Sequence, residues 1–114
     1  MDFNEYQQRS KATAKEYADP DVGSDADQKA TALFLTTALN GETGELAEKI
    51  KKYVREDDPT YLEEAEAELG DVLWYWAQLV SLLDVEANDV AEANLAKLED
   101  RDERDVILGD GDTR

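Results

Sequence analysis

Apolar residues recur along most of the chain at the spacing of an α-helix, with short polar segments between them. This spacing predicts four helices, over about residues 2–17, 26–55, 61–83 and 86–102. Strands have almost no support in the pattern. We therefore expect an all-α domain that resembles a four-helix bundle over residues 1–104, followed by a flexible C-terminal tail over residues 105–114.

The predicted helices begin and end at recognisable turn residues. A polar loop over residues 19–25 ends in residues that can cap the second helix. The second helix is expected to stop at residues 57–59, Asp-Asp-Pro, because proline cannot continue a helix. Thr60 and Glu63 then have the spacing of a capping box, which predicts that the Thr60 hydroxyl caps the third helix.

The third predicted helix is unusually apolar. From Val72 to Leu83 its apolar residues point in nearly every direction around the helix axis. A helix of this kind is either the central buried helix of the domain or is buried partly by another subunit. Three neighbours in so small a chain cannot easily cover it on every side, so we expect a homo-oligomer, either a dimer or a tetramer.

Composition removes several classes of function. The 114 residues contain 29 Asp and Glu against 12 Lys and Arg, a net charge of −17, with no His and no Cys. Ser-His-Asp triads, zinc fingers and disulfide frameworks are therefore excluded. Without a cationic face, binding to duplex nucleic acid or to an anionic membrane is not expected. The charge has two interpretations, adaptation to a high-salt cytoplasm or an ordinary acidic protein.

Size and hydropathy indicate one cytoplasmic domain. A chain of this length is typical of a single domain, and its apolar content can supply the core. The longest mostly apolar stretch, over residues 72–83, is too short to span a bilayer. The first residues lack the basic and then apolar pattern of a signal peptide. We therefore expect a soluble, cytoplasmic protein.

Two pairs of carboxylates are candidates for chemistry. Glu42 and Glu45 lie three residues apart on the second predicted helix and share one face of it. Glu68 and Asp71 have the same spacing on the third helix. The spacing alone means little in so acidic a chain, but Glu42, Glu68 and Asp71 also fall on the apolar faces of their helices. Inward carboxylates left ionised and unpaired are costly, and Mg²⁺ is a natural partner because it prefers hard oxygen ligands.

The same carboxylates have a second interpretation. They can pair with Lys49, Lys52 or Arg55, or can simply be solvated. Periodicity leaves both interpretations open. Four-helix bundles do build metal sites from inward glutamates on facing helices, so the metal interpretation fits the expected fold.

Two segments resemble a known family. They are residues 40–52, NGETGELAEKIKK, and residues 68–75, ELGDVLWY. Together they carry E-x-x-E followed by E-x-x-D, and they closely resemble the MazG-like family of all-α nucleoside triphosphate pyrophosphohydrolases. The resemblance continues into residues 94–98, NLAKL, and into residues 109–114, GDGDTR. Gly41 departs from many relatives, which carry a second acid there, and we interpret it as a subgroup feature.

The resemblance implies a fold, a reaction and a metal. Enzymes of this family are all-α and cleave a nucleoside triphosphate to the monophosphate and pyrophosphate with Mg²⁺ held by the four carboxylates. The implied metal ligands and catalytic residues are Glu42, Glu45, Glu68 and Asp71, with Mn²⁺ as a substitute metal. Glu45 is the choice for a base that orients the attacking water. A deoxynucleoside triphosphate is the expected substrate, and removal of non-standard or excess nucleotides is the implied role.

Substrate contacts follow partly from the resemblance. In the family's N-x-x-K-L segment, asparagine and lysine help to hold phosphates, which indicates Asn94 and Lys97. Further phosphate candidates, whose alternative role is a surface ion pair, are Lys49, Lys52 and Arg101. Tyr75 and Trp76 are candidates for stacking on the base, although aromatic residues in such a helix more often belong to a core.

Three alternatives remain open from the sequence. The first is phosphoribosyl-ATP pyrophosphohydrolase, which shares the fold and the metal motif. The second is a non-catalytic acidic helical interaction module, whose acids are solvated and whose stability does not respond to Mg²⁺. The third is an acidic decoy that mimics DNA and binds a basic protein.

Overall fold

The structure is all-helical. The computed structural model describes residues 1–21 and 23–114, and no strand occurs among them. Its elements in chain order are helix α1 (Phe3–Lys11), a short 3₁₀ turn (Glu16–Ala18), helix α2 (Asp25–Glu56), helix α3 (Thr60–Leu82) and helix α4 (Ala87–Glu103). The predicted all-α fold of four helices is confirmed, and the first helix ends earlier than its pattern indicated. Val22, in the predicted loop before α2, lies outside the described residues.

The turn between α2 and α3 makes an antiparallel hairpin, which is the framework of the domain. Asp57 closes α2 in the left-handed conformation, with φ of 51°. The prediction that Thr60 caps α3 is wrong, because the N-cap position falls on Pro59 and no side chain caps the helix. The Asp58 carboxylate instead accepts hydrogen bonds from the Thr60 amide and hydroxyl, at 3.0 and 2.8 Å. The hydroxyl therefore stabilises the turn.

A capping box does occur at the start of α2. The Ser24 hydroxyl accepts a hydrogen bond from the Asp27 amide at 3.3 Å, and the Asp27 carboxylate accepts one from the Ser24 amide at 2.9 Å. These bonds lower the pKa of Asp27 below its ordinary value. The capping box fixes where α2 begins, and α2 carries Glu42 and Glu45.

The N-terminus of α4 is capped by side chains from α1. The buried Gln7 accepts a hydrogen bond from the Ala87 amide at 2.9 Å and donates one to the Val85 carbonyl at 2.9 Å. Asn4 accepts a hydrogen bond from the Asn88 amide at 2.8 Å. The first amides of a helix have no partner within it, so these long-range bonds both complete α4 and join it to α1.

Replacing Gln7 with leucine is expected to lower the free energy of unfolding by about 2 kcal/mol, because the buried Ala87 amide would lose its partner. Gln8, which is exposed on the same helix, provides a matched control. The change Gln8→Leu should alter the free energy of unfolding by less than about 0.5 kcal/mol. Urea unfolding followed by circular dichroism measures both variants, and equal losses would contradict the capping role of Gln7.

The chain is extended for its length. Its radius of gyration is 16.8 Å, whereas a compact domain of this size has about 13 Å. Within the chain α3 is not fully covered, since Leu62 and Leu69 remain exposed. On α2, Leu33 and Val54 are also exposed. Apolar surface is therefore left uncovered within one chain, although no helix among the described residues has a stretch long and apolar enough to cross a membrane.

Candidate metal centre

Three carboxylates converge where α2 and α3 face each other. One oxygen each from Glu42, Glu68 and Asp71 lie within 4.8 Å of one another. Glu42 on α2 and the two acids on α3 are separated by similar lengths of chain from the Asp57 turn, so the antiparallel hairpin brings them to one level. The sequence predicts that all three acids point inward. Glu42 and Glu68 are half-buried, as that prediction requires, whereas Asp71 is exposed, which differs from it.

The carboxylate of Glu42 lies in an environment that disfavours its charged form. Its Oε2 atom is buried and has no hydrogen-bond partner. The pKa of Glu42 is raised above its ordinary value, first because burial disfavours the charged form and next because the charge of Glu45 is close. Glu68 and Asp71 raise the pKa further. A bound cation would stabilise this arrangement by pairing with the buried oxygen.

The donor set fits a hard divalent cation. Carboxylate oxygens are the ligands that Mg²⁺ and Mn²⁺ prefer. Ligands of an octahedral Mg²⁺ ion lie about 3 to 4 Å apart, because each is about 2.1 Å from the metal. The oxygens here lie within 4.8 Å of one another, so small rotations of the side chains would close the site. Glu42, Glu68 and Asp71 are the residues that would hold the metal.

The fourth predicted ligand, Glu45, lies beside the cluster. In the part of the chain that the structure describes, the converging group contains three carboxylates and does not include Glu45. Its side chain is exposed, yet its charge is close enough to raise the pKa of Glu42. Glu45 is therefore accessible to water next to the three converging carboxylates, and its roles as ligand and base stay predictions.

Two of the predicted phosphate-binding lysines take part in ion pairs. The Lys49 Nζ atom lies 2.9 Å from the Glu64 Oε2 atom on α3. The Lys52 Nζ atom lies 3.7 Å from the Glu48 Oε1 atom and 5.9 Å from the centre of the Tyr61 ring. A surface ion pair is the alternative role for each of these lysines, and both lysines form such pairs in the structure. Phosphate binding by either lysine stays a prediction.

Lys97 and Arg101 meet the C-terminal segment of the chain. The Asp112 Oδ1 atom lies 2.7 Å from Lys97 Nζ and 3.3 Å from Arg101 Nη2, which also donates to the Asp112 carbonyl. Arg101 is buried, and Asn94 is exposed on the same helix. These contacts lower the pKa of Asp112. The two cations thus bind a carboxylate of their own chain, and the mobility of residues 105–114 stays a prediction.

The two aromatic candidates have different surroundings. The pKa of Tyr75 is raised by burial and then by the charge of Glu42, which places Tyr75 near the carboxylates. Trp76 packs edge-on against Phe3 of α1, with ring centres 5.8 Å apart. Trp76 is half-buried, and Phe3 is exposed. The structure therefore brings Tyr75 towards the site and gives Trp76 a contact between helices.

The contacts of three residues near these groups were not predicted from the sequence. Glu64 pairs with Lys49, and Asp112 pairs with the cations of α4. Tyr6 of α1 is close enough to Asp71 for that charge to raise its pKa, after a larger effect of burial. Glu64 could have been found, because it lies four residues before a predicted ligand on the same face of α3. Asp112 belongs to residues 109–114, which carry part of the resemblance to the family, but no local signal marks its contacts with α4 or the contacts of Tyr6.

Glu42 should give the metal-free protein a distinctive pH dependence. Because its pKa is raised in the folded state, the folded protein binds this proton more readily than the unfolded chain does. Its contribution to stability therefore rises as pH falls from the raised pKa towards the ordinary value of 4.5. We measure the free energy of unfolding by urea titration in EDTA for the parent and for Glu42→Gln. The value for the parent relative to the variant should increase as the pH is lowered over this range. A difference that stays constant with pH would contradict the burial of an ionised Glu42.

Comparisons with known proteins identify the family. The family model described as the MazG nucleotide pyrophosphohydrolase domain matches residues 30–106, which include the three converging carboxylates. The chain is 45% identical over 94 residues to the "Gene 37 protein" of Mycobacterium phage L5, an alignment that covers 79% of this chain and 82% of that protein. A search of solved structures found no match. The chain belongs to the MazG nucleotide pyrophosphohydrolase domain family.

Proposed function

We propose that this protein is a metal-dependent pyrophosphohydrolase that cleaves a nucleoside triphosphate, and a deoxynucleoside triphosphate in particular, to the monophosphate and pyrophosphate. The observation that carries the proposal is the convergence of one oxygen each from Glu42, Glu68 and Asp71, together with the buried Glu42 Oε2 atom that has no hydrogen-bond partner. Membership of the family supports the class of reaction. The proposed role is the removal of non-standard or excess nucleotides from the cytoplasm.

The carboxylates divide into two roles. Glu42, Glu68 and Asp71 hold the metal, Mg²⁺ or Mn²⁺, which when bound supplies charge neutralisation and a Lewis acid at the attacked phosphate. Glu45, exposed beside them, accepts a hydrogen bond from the attacking water and orients it. The chain carries a net charge of −17, so the bare protein repels a triphosphate and a cation is needed at the site.

Phosphate and base contacts are assigned to polar and aromatic side chains of α2, α3 and α4. Lys97 and Arg101 support this assignment because they already bind one carboxylate, that of Asp112. The remaining proposed phosphate contacts are Lys49, Lys52 and Asn94. Tyr75, whose pKa responds to the charge of Glu42, is the first choice for a contact with the base, and Trp76 is the second.

We also propose that the protein forms a homo-oligomer. The exposed apolar residues of α2 and α3, among them Leu33, Val54 and Leu69, are left without cover in an extended chain. Apolar surface of this kind on a soluble protein marks an interface, and a second copy supplies a matching apolar surface. Sedimentation equilibrium at low and at molar KCl should give a dimer or a tetramer. A monomer under both conditions would contradict the proposal.

The reaction is tested by pyrophosphate release from a panel of ribonucleoside and deoxynucleoside triphosphates, with phosphoribosyl-ATP included, in the presence of Mg²⁺. The assays are run at low and at molar KCl, because repulsion between acidic groups is screened by salt. We expect pyrophosphate from at least one deoxynucleoside triphosphate. Preference for phosphoribosyl-ATP would change the substrate and keep the reaction. No turnover of any substrate at either salt concentration would reject the enzyme and favour the interaction module.

A further inference from the structure

We propose that Glu64 is a positioning residue, which holds the Lys49 ammonium away from the metal-binding carboxylates and so leaves the metal position open to a divalent cation. The inference rests on the proposed function, because it concerns the same carboxylates. It is carried by the ion pair of 2.9 Å between Lys49 Nζ on α2 and Glu64 Oε2 on α3. No role for Glu64 follows from the motifs themselves.

The ion pair forms the next layer of the contact between the two helices. Lys49 lies four residues after Glu45 on α2, and Glu64 lies four residues before Glu68 on α3. Residues four apart share a helix face, so the pair points into the same interface as the carboxylates. Since α2 and α3 are antiparallel, both members of the pair lie closer to Asp57 than the carboxylates do. The offset is about one turn from Glu45 and Glu68 and about two turns from Glu42 and Asp71.

Lys49 is able to compete with a metal for the carboxylates. Its side chain is 26% exposed, so most of its surface is covered within the interface. Its pKa is raised chiefly by Glu64 and further by the charges of Glu68 and Glu45, which therefore act on it directly. Lysine carries its charge on a flexible stem of four carbons, long enough to move along the helix face by one turn. Besides Glu64, the charges that act on this ammonium are those of Glu68, one of the three converging carboxylates, and of Glu45 beside them.

The test is a double-mutant cycle on Mn²⁺ affinity, measured as free Mn²⁺ by electron paramagnetic resonance with the full chain. The variants are Glu64→Gln, Lys49→Gln and the two combined. The matched control is Glu66→Gln, which removes the same charge from an exposed position on the same helix and a different face. Circular dichroism of each variant confirms that the helices are retained.

The expected result is non-additive. Glu64→Gln should weaken Mn²⁺ binding by about fivefold relative to Glu66→Gln, since an exposed ion pair is worth up to about 1 kcal/mol. Lys49→Gln alone should change the affinity by less than about twofold, and the double variant should match Lys49→Gln. A simple change in net charge predicts instead that the two effects are equal, opposite and additive.

The outcomes separate this inference from the proposed function. Additive effects, or equal affinities of Glu64→Gln and Glu66→Gln for Mn²⁺, would overturn the positioning role while the metal centre stands. Failure of the parent protein to bind Mn²⁺ would overturn both. Loss of helical signal in Glu64→Gln, with the double variant equally affected, would show that Glu64 is structural and would also overturn the positioning role.

Discussion

Replacing Glu42 with glutamine is expected to lower the rate of metal-dependent nucleotide hydrolysis by more than about a hundredfold. Loss of an outer-shell partner of a metal ligand already costs about 10- to 100-fold, and Glu42 is proposed as a ligand itself. Glutamine preserves the size of the side chain but removes the charge of the half-buried carboxylate. Initial rates at saturating Mg²⁺ and substrate, with purified parent and variant, measure the loss.

The same substitution is expected to stabilise the metal-free protein by about 1 kcal/mol, because it removes a half-buried charge that has one buried oxygen without a hydrogen-bond partner and lies close to the charges of other acids. The opposite effects on the hydrolysis rate and on the free energy of unfolding are informative, since replacing a residue with a purely structural role would lower both. Glu66→Gln, exposed on α3, is the matched control and should leave both quantities unchanged. An inactive Glu42→Gln protein that is also less stable in EDTA would contradict the assignment of Glu42 as a metal ligand.

Mg²⁺ is expected to stabilise the parent strongly. A ligand that binds only the folded state adds about 2.7 kcal/mol to the free energy of unfolding at a concentration of 100 times its Kd. For a chain of this size, that increase raises the midpoint of thermal unfolding by about 10 °C. The comparison is a melting curve in excess EDTA against one in excess Mg²⁺, at constant ionic strength so that general screening does not contribute.

The stabilisation should disappear in variants of the three converging carboxylates. We expect Glu42→Gln, Glu68→Gln and Asp71→Asn to melt at the same temperature with and without Mg²⁺. An effect of Mg²⁺ that persists in all three would show that the ion binds elsewhere on the acidic surface. Absence of any effect on the parent would favour the non-catalytic interaction module.

The fold could be predicted to the extent that its determinants are local. Helical spacing of apolar residues located all four helices, since the signal is repeated over several turns. The prediction of a capping box at Thr60 was wrong because the Thr60 hydroxyl donates a hydrogen bond to the Asp58 carboxylate, two residues earlier, within the turn. The caps of α4 could not be predicted, since Gln7 and Asn4 lie some 80 residues away in the chain. Long-range hydrogen bonds leave no periodic signal in the sequence.

The candidate site shows the same division. The apolar stripe of each helix indicated that Glu42 and Glu68 turn inward, and the hairpin brings them together as expected. The partner of Lys49 could not be predicted, because it depends on how side chains pair across the interface between α2 and α3, where Lys49 forms an ion pair with Glu64. The contacts of Asp112 depended on how the last residues fold back on α4, which composition does not determine.

The central claim is metal-dependent hydrolysis that releases pyrophosphate, and the stoichiometry of the products tests it most directly. A deoxynucleoside triphosphate accepted by the parent is hydrolysed to completion in excess Mg²⁺, and the products are separated by ion-exchange chromatography. We predict equal amounts of monophosphate and pyrophosphate, with no products in EDTA or with Glu42→Gln. Diphosphate and inorganic phosphate as products, or hydrolysis that continues in EDTA, would contradict the proposed function.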